Sequence, residues 1–337
     1  AKETELGIAT IKKYLTGRNV RGKNKISIEA SIEKLGFTLN ELARGFKTGK
    51  SHTIGIIIPE LSNIFITSII TIIEDVLRKS GYGVIICDCR TNEEQEREAV
   101  RFLIGKRVDG IINMPVSKDG SHLLSAIEND IPVILLDRMI PNLKGTVNAV
   151  LVDNVAASES AVKTLFDAGH RNIGIILGPQ EVFTSQQRLL GYNQVLILNL
   201  LQPDTSRIIF SDYTVQGGYE SMKRLLSDRE LTAVFVTNYE MTLGAIIAIN
   251  ELGIKIPDQI SFIGFDNLQL SNVIQPKLTM ITQPLEEIGQ NAAEILISKL
   301  NENGNESGIK EVTLSTGILQ GDSVKSFFEK KTRNTHT

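Results

Sequence analysis

From Thr53 onward, apolar runs of strand length alternate with stretches of helical periodicity, and this alternation limits the fold more than any other feature of the chain. Strands that are apolar at every position are typical of parallel sheets with helices on both faces. The runs form two series: TIGIIIP, GVIICD, DGIINMP, PVILLD, then NIGIILG, RIIFS, AVFVTN, QISFIGF. The sequence therefore predicts an α/β body of two doubly wound lobes, and its 337 residues exceed what one core usually supports.

Candidate binding residues follow from this prediction. Ligands of doubly wound folds lie beyond the carboxyl ends of the strands, so the residues after each apolar run are the candidates. They are Pro59 to Phe65, Asp88, Pro115, Asp137, Arg138, Asn238 to Glu240, and Asp266.

The first 50 residues have a different pattern, with three short helical segments punctuated by glycine. Ala1 to Glu5 is typical of the end of a helix that begins before Ala1, and Ile8 to Leu15 is a second helix. The third carries apolar residues at helical spacing and stops at Gly36. Together they predict a helix-turn-helix module.

Charge separates the same two parts. Residues 1–50 carry 11 Lys and Arg against 5 Asp and Glu, a net charge of +6, whereas the rest carries 25 against 34, a net charge of −9. A basic head on an acidic body favours nucleic-acid binding by the head alone. A solvated basic arm is the alternative on charge alone.

Several classes of protein lack support in the sequence. No apolar run reaches the roughly 20 residues that span a bilayer, and we recognise no signal peptide, so we expect a cytoplasmic protein. The first strand runs into PELSN rather than G-x-G-x-x-G, and neither a P-loop nor a G-x-S-x-G elbow occurs. The four histidines are scattered. We therefore predict no enzyme activity, catalytic residue, cofactor or metal.

The two cysteines, Cys87 and Cys89, fall in VIICDCR, where strand alternation puts both on one face. They are too few for a disulfide framework, and no second Cys or His pair stands nearby. We predict inert thiols in the core or at the edge of a pocket.

Six segments in order resemble the LacI/GalR family of transcriptional regulators over nearly the whole chain. They are ATIKKYLTG; NELARGFKTGKSHTIGIIIP; VDGIIN; LDR; GHRNIGIILG with QRLLGY; and IPDQISFIGFDN with PKLTMITQP. The resemblance implies a headpiece at 1–38 whose first residues precede Ala1, a hinge helix and linker at 39–52, an effector-binding and dimerisation body at 53–325, resembling periplasmic sugar-binding proteins, and a disordered tail at 326–337.

The resemblance implies DNA contacts in two places. The second helix of the head enters the major groove, and a hinge helix that orders on DNA enters the minor groove, with Phe46 as the apolar wedge. Lys13 stands where relatives usually have Arg, so we expect altered readout of that base, because Lys lacks the bidentate fork of Arg. The implied DNA contacts are Ile8, Ala9, Thr10, Lys12, Lys13, Ala43, Phe46 and Lys47.

The resemblance also implies a polyol effector, a sugar, sugar acid or sugar phosphate, between the lobes. The implied contacts are Asn63, Phe65, Asp137, Arg188, Asn238, Asp266 and Gln283. Many relatives carry Asp after the residue matched by Asn238, but this chain has Tyr239 and Glu240. Arg138 either faces the cleft as a second cation, which would favour an acidic or phosphorylated sugar, or braces the linkers between the lobes.

As partners the family implies palindromic operator DNA, the effector and a second copy of the chain. We expect a repressor whose allosteric effector changes lobe closure. The helix from Ile64 to Lys79 is apolar around most of its circumference, so it either forms the dimer surface or is buried within one lobe. The two rival functions are a secreted sugar-binding protein and a cytoplasmic enzyme on a two-lobed fold.

Overall fold

The structure, a computed structural model, describes residues 1–15, 19–36, 50–266, 268–301 and 308–328. Among the predicted DNA contacts, Ala43, Phe46 and Lys47 lie outside these residues, and so does the rest of the predicted hinge up to residue 49. Within the described residues, no helix is both long enough and apolar enough to cross a membrane.

Two helices form the described part of the headpiece, α1 (Ile8–Leu15) and α2 (Gly22–Leu35). The second ends as predicted, because Gly36 takes a left-handed conformation with φ of 57° that glycine adopts without a side-chain clash. Ile28 of α2 is buried in the small core of the headpiece. The two helices are also joined by the Tyr14 hydroxyl, which donates to Glu29 at 2.8 Å.

The prediction that Ala1 to Glu5 ends a helix is wrong, because residues 2–5 form turns. Glu5 has a φ of 52°, which is outside the helical region. The Thr4 hydroxyl accepts a hydrogen bond from the Leu6 N–H at 3.3 Å. A side chain thus takes up a backbone donor here, as Ser and Thr do in turns.

The first lobe contains a sheet of six parallel strands and the helices that cover it. In chain order its elements are β1 (Thr53–Ile58), α3 (Ile64–Lys79), β2 (Gly83–Asp88), α4 (Glu93–Gly105), β3 (Gly110–Asn113), α5 (Ser121–Glu128), β4 (Val133–Leu136), β5 (Asn148–Val152), α11 (Leu285–Asn301) and β11 (Glu311–Leu314). The strand order is β11-β5-β4-β3-β1-β2. One face packs on α3 and α11, the other on α4 and α5.

The second lobe repeats this plan. It contains α6 (Asn154–Asp167), β6 (Ile173–Leu177), α7 (Phe183–Leu198), β7 (Ile208–Phe210), α8 (Val215–Leu225), β8 (Ala233–Val236), α9 (Tyr239–Glu251), β9 (Ser261–Phe265), α10 (Leu268–Val273), β10 (Thr279–Thr282) and β12 (Gly317–Leu319). The strand order is β12-β10-β9-β8-β6-β7, parallel except for β12, which pairs antiparallel with β10. The predicted two-lobed α/β fold is confirmed.

The chain passes between the lobes at three places. These are Asp153 between β5 and α6, Gln283 and Pro284 between β10 and α11, and residues 315–316 between β11 and β12. The last helix of the body, α11, therefore packs on the first lobe although the strand before it belongs to the second. Each lobe is made of two separate stretches of chain.

Much of α3 is buried within the first lobe. Ile66, Ile69 and Ile73 are among its buried residues, and the helix packs against α11, where Gly289 lies close to Ile72. Ile64, at the amino end of α3, stays 47% exposed. Burial within the lobe thus accounts for one side of this helix, and the dimer surface on its exposed side stays a prediction.

Both cysteines lie where the strand pattern predicted. Cys89 is buried, its thiol donates to the Ile58 carbonyl at 2.9 Å, and burial raises its pKa to about 12. Cys87 is half-buried, and burial raises the pKa of its thiol as well. Raised thiol pKa values keep both in the unreactive protonated form at neutral pH.

The predicted tail begins with residues that contact the second lobe. The Phe327 N–H donates to the Ala168 carbonyl at 2.8 Å. The Phe327 ring meets the His170 ring edge-on, with centroids 4.9 Å apart. Residues 329–337 of the predicted tail lie outside the described residues.

Leu200 provides a first prediction. It follows α7 with a φ of 60° and is 93% exposed, so it combines a left-handed backbone with an unburied apolar side chain. Replacing it with glycine removes the side-chain clash of that conformation, and we expect Leu200→Gly to stabilise the fold by about 1 kcal/mol. Chemical denaturation would measure this change.

Leu198, two residues earlier at the end of α7, is 79% exposed but helical, so it serves as the matched control. Leu198→Gly is expected to destabilise the fold by up to about 1 kcal/mol through the poor helix propensity of glycine. Equal losses of stability in both variants would contradict the strain at Leu200.

Candidate functional site

A cavity that is open to solvent lies between the two lobes at the carboxyl ends of their strands. Clefts at this place in doubly wound folds are the usual site of small-molecule ligands. Every predicted effector contact lines it. Its lining is Pro59, Glu60, Asn63, Phe65, Ile66, Thr91, Met114, Asp137, Arg138, Pro179, Val182, Thr184, Arg188, Asp212, Tyr213, Asn238, Tyr239, Glu240, Asp266 and Gln283.

Arg188, on α7, is the most firmly held of these side chains and is only 5% exposed. Its Nε donates to Asn154 Oδ1 at 2.8 Å, and an Nη donates to the Thr237 carbonyl. Its guanidinium carbon lies 4.0 Å from the centre of the Phe265 ring. Two hydrogen bonds and a cation–π contact fix the guanidinium at the wall of the cleft.

Asp137 and Asp266 occupy equivalent positions, directly after β4 in the first lobe and β9 in the second. Both have left-handed backbones, with φ of 64° and 62°. Non-glycine residues in this region are uncommon and concentrate at functional sites. Burial raises the pKa of Asp137, and the positive charges of Arg138 and Arg188 offset only part of this increase.

Burial also raises the pKa of Asp266, to about 7, although Arg188 and Gln283 favour the ionised form. The Gln283 side-chain amide donates to Asp266 Oδ2 at 2.5 Å, and its backbone N–H donates to Oδ1 at 3.1 Å. Gln283 belongs to a connection between the lobes. The second-lobe carboxylate is therefore hydrogen-bonded to a segment that connects the two lobes.

Asn63 and Asn238 have matching structural roles, because each caps the helix that begins after it. Asn63 Oδ1 accepts from the Ile66 N–H at 3.0 Å, and Asn238 Oδ1 accepts from the Met241 N–H at 2.9 Å. The Asn238 amide also donates to Glu240 Oε2 at 2.5 Å. Both asparagines line the cleft, but their carbonyl oxygens are already used within the protein.

Arg138 lines the cavity and is held on both sides. One Nη donates to the Pro115 carbonyl at 3.2 Å, and Nε lies 3.7 Å from Asp137 Oδ2. Its partners belong to the first lobe, so within the described residues it braces the strand ends of that lobe rather than the linkers.

Tyr213 is a cleft residue that the sequence pattern did not single out. Its hydroxyl lies 3.0 Å from Thr184 Oγ1 and 2.8 Å from Ser185 Oγ, and its ring packs over Gly178. It follows β7, so the rule that strand ends bear the site applies to it as well. Phe65, the predicted stacking residue, packs in part against the core of the first lobe.

The predicted major-groove residues lie on α1. Ile8 is 74% exposed, and Ala9, Lys12 and Lys13 are exposed as well. Thr10 is partly buried. An exposed isoleucine beside two lysines forms one accessible face of this helix, which is the arrangement a groove-binding helix needs.

Residues 162–324 match the family described as periplasmic binding protein-like domain. Catabolite control protein A of Priestia megaterium is 32% identical over 315 residues, 93% of this chain and 94% of that protein. The HTH-type transcriptional repressor CytR of Escherichia coli is 31% identical, over 89% of this chain and 88% of that protein. The chain belongs to the LacI/GalR family of transcriptional regulators.

A solved structure supports this membership. A LacI family transcriptional regulator from Enterococcus faecium, determined with bound ribose, superposes with a TM-score of 0.71 at 27% identity, covering 82% of this chain and all of that one. The family resemblance that the six sequence segments indicated is therefore confirmed.

No group of three or more His, Cys, Asp or Glu in the described ranges could hold a metal ion.

Proposed function

We propose that this LacI/GalR regulator is a homodimeric, cytoplasmic repressor that binds palindromic operator DNA through α1 and the hinge. A small polyol bound between the lobes controls it. The observation that carries the proposal is the cleft itself, where Asp137 from one lobe and Arg188 and Asp266 from the other line one cavity. Carboxylates accept from paired hydroxyls and a guanidinium donates a fork, which suits a polyol.

Coupling between cleft and DNA follows from the connections between the lobes. Asp266 is hydrogen-bonded to Gln283, which lies in one of the three connections between the lobes. A ligand that contacts Asp266 therefore acts directly on that connection. A ligand that prefers one degree of closure shifts the population of that state by its differential affinity. Two headpieces must be correctly spaced to meet two half-sites. Lobe closure therefore sets operator affinity.

The test is binding of palindromic duplexes selected from a random library, measured as a function of salt. Affinity is expected to fall steeply as salt rises, because each phosphate contact releases counterions. In a plot of the logarithm of affinity against the logarithm of salt concentration, replacing the exposed Lys12 or Lys13 with alanine is expected to reduce the slope by about one for each phosphate that the side chain neutralises. Salt-independent binding, or no duplex recovered, would contradict the proposal.

The proposal includes no catalysis. Catabolite control protein A and CytR are regulators by their names. Conversion of a bound sugar, followed by NMR, would contradict this part and revive the enzyme alternative.

Asp266 makes effector binding sensitive to pH. Its pKa of about 7 means that the carboxyl is half protonated near neutrality. Polyol hydroxyls donate best to the ionised form, so we expect effector affinity to rise severalfold from about pH 6 to about pH 8. Titration calorimetry at each pH measures this rise. In Asp266→Asn it should disappear, and its persistence there would contradict the assignment.

The raised pKa of Asp266 also affects the stability of the ligand-free protein, which is expected to fall as pH rises. The folded state binds more protons than the unfolded state between the ordinary aspartate pKa and about 7, so this group stabilises the fold below that window. The contribution is lost as pH rises through about 7. Ligand-free protein should therefore lose part of its thermal stability over the range in which it gains effector affinity.

A further inference from the structure

The cleft carries more negative than positive groups. Among the described residues that line it, two are guanidinium groups, Arg138 and Arg188, and five are carboxyl groups: Glu60, Asp137, Asp212, Glu240 and Asp266. Burial raises the pKa values of Asp137, Glu240 and Asp266, so these carboxyl groups ionise more readily when a positive charge or a hydrogen-bond donor of a ligand lies beside them.

The two arginines are each held by acceptors of the protein. Arg188 donates to Asn154 and to the Thr237 carbonyl, and Arg138 donates to the Pro115 carbonyl with its Nε 3.7 Å from Asp137 Oδ2. A guanidinium has five N–H donors, so both side chains keep donors for the hydroxyls of a ligand. A sugar acid or sugar phosphate, however, would also have to lie against the carboxyl groups that line the same cavity.

The unused polar atoms of the cleft are mainly acceptors. Asp137 Oδ1, Glu240 Oε1 and Gln283 Oε1 are buried without a hydrogen-bond partner among the described residues, against one such donor, Arg138 Nε. Asp137 is only 6% exposed, so its free oxygen is held in the cavity wall. Buried acceptors without partners are unfavourable, and a ligand rich in donors would satisfy them.

Two of the carboxyl groups come from opposite lobes and line the same cavity. Glu60 follows β1 of the first lobe, and Glu240 lies in the first turn of α9 in the second. The charge of Glu60 adds to burial in raising the pKa of Glu240. A cation bound beside Glu240 and Glu60 would favour the ionised form of both carboxyl groups.

We propose that the cleft selects a polyol bearing a primary amine, an amino sugar in chemical class, whose ammonium group lies between Glu240 and Glu60. The hydroxyls of the same ligand donate to Asp137 and Gln283. The ammonium supplies three donors and a positive charge where the cleft lacks both. The inference rests on the proposed function of the cleft as an effector site.

The test compares three hexose scaffolds, glucose, galactose and mannose, each as the 2-amino sugar, the neutral sugar, the uronic acid and the 6-phosphate. Binding to the full chain is measured by titration calorimetry near neutral pH. For a scaffold that binds, the amine is expected to bind about tenfold more tightly than the neutral sugar, since a charge-assisted hydrogen bond is stronger than a neutral one. The acid and the phosphate should bind most weakly.

Glu240→Gln keeps the shape of the side chain and removes its charge. It should abolish the preference for the amine over the neutral sugar, because the charge-assisted hydrogen bond to the ammonium is lost. Glu181→Gln is the matched control, since Glu181 is exposed and precedes Val182 of the lining without lining the cavity itself. It should leave the preference unchanged.

Three outcomes would overturn the inference. They are equal or tighter binding of the neutral or anionic members, an amine preference that survives in Glu240→Gln, and no binding by any amine. Tight binding of a neutral or anionic sugar with retained operator binding would leave the proposed function standing. No binding by any member of the panel, together with no operator binding, would remove both.

Discussion

Replacing Arg188 with methionine is expected to abolish the response to effector. Methionine keeps much of the volume over the Phe265 ring but removes the donors to Asn154 and the Thr237 carbonyl. It also removes the positive charge that favours ionisation of Asp137 and Asp266. Losing a charged hydrogen-bonding group in a buried site costs about 3 kcal/mol, which corresponds to a roughly hundredfold weaker effector.

Titration calorimetry gives the effector affinity, and operator binding with and without effector gives the response. Without effector, operator affinity should stay close to that of the parent chain if folding is intact. Because Arg188 also joins α7 to Asn154 at the start of α6, some loss of stability is expected, and thermal denaturation must accompany the binding data.

Arg171 offers a matched control for this substitution. Its guanidinium carbon lies 3.7 Å from the centre of the Phe166 ring, and an Nη donates to backbone carbonyls, as in Arg188, but Arg171 does not line the cleft. Arg171→Met should leave effector affinity unchanged. If both variants lost the response equally, the effect of Arg188 would be structural rather than specific to the cleft.

Gly244→Ala is expected to produce the largest loss of stability among the substitutions proposed. Gly244 lies on α9 where that helix meets α8, and an added Cβ would collide with the Val215 carbonyl oxygen and lie 2.7 Å from the Tyr219 nitrogen. Gly218 on α8 approaches the Met241 backbone in the same way. Because backbone atoms cannot change rotamer, the helices must separate, at a cost of about 3 kcal/mol.

Urea denaturation measures this loss, and Gly105→Ala provides the control. Gly105 ends α4, and nothing lies within 4 Å of the Cβ that alanine would add. That variant should be neutral or more stable by up to about 1 kcal/mol, since alanine favours the helix. A Gly244→Ala protein as stable as the Gly105→Ala protein would contradict the close packing of α8 and α9.

Six of the eight strands that the sequence predicted are buried along most of their length, whereas the other two, β2 and β7, lie at sheet edges and are partly exposed. Eight apolar runs became β1–β4 and β6–β9, because continuous apolar sequence and burial in a parallel sheet have the same cause. Four strands were missed: β11 and β12, which are short, partly exposed and at sheet edges, and β5 and β10, which are buried. Edge strands form by pairing with strands that are distant in the chain. Local hydrophobic periodicity does not predict such pairing.

The position of the cleft was predictable for a similar reason, since parallel strands end at the same edge of a sheet. The charge balance within it was not. Glu60 and Glu240 fell within the predicted strand-end segments, but their burial and their hydrogen-bond partners could be read only from the structure. The protonation of Asp266 likewise depends on burial, which no single residue type encodes.

The three connections between the lobes limit how this chain can be recombined. Neither lobe is one continuous stretch of chain. To exchange a lobe with that of a relative, two separate segments must be replaced and three junctions must match. A C-terminal truncation that removed every residue from 311 onward would delete β11 from the first sheet and β12 from the second. Effector specificity in such a protein is therefore easier to transfer by changing single residues at strand ends than by exchanging lobes.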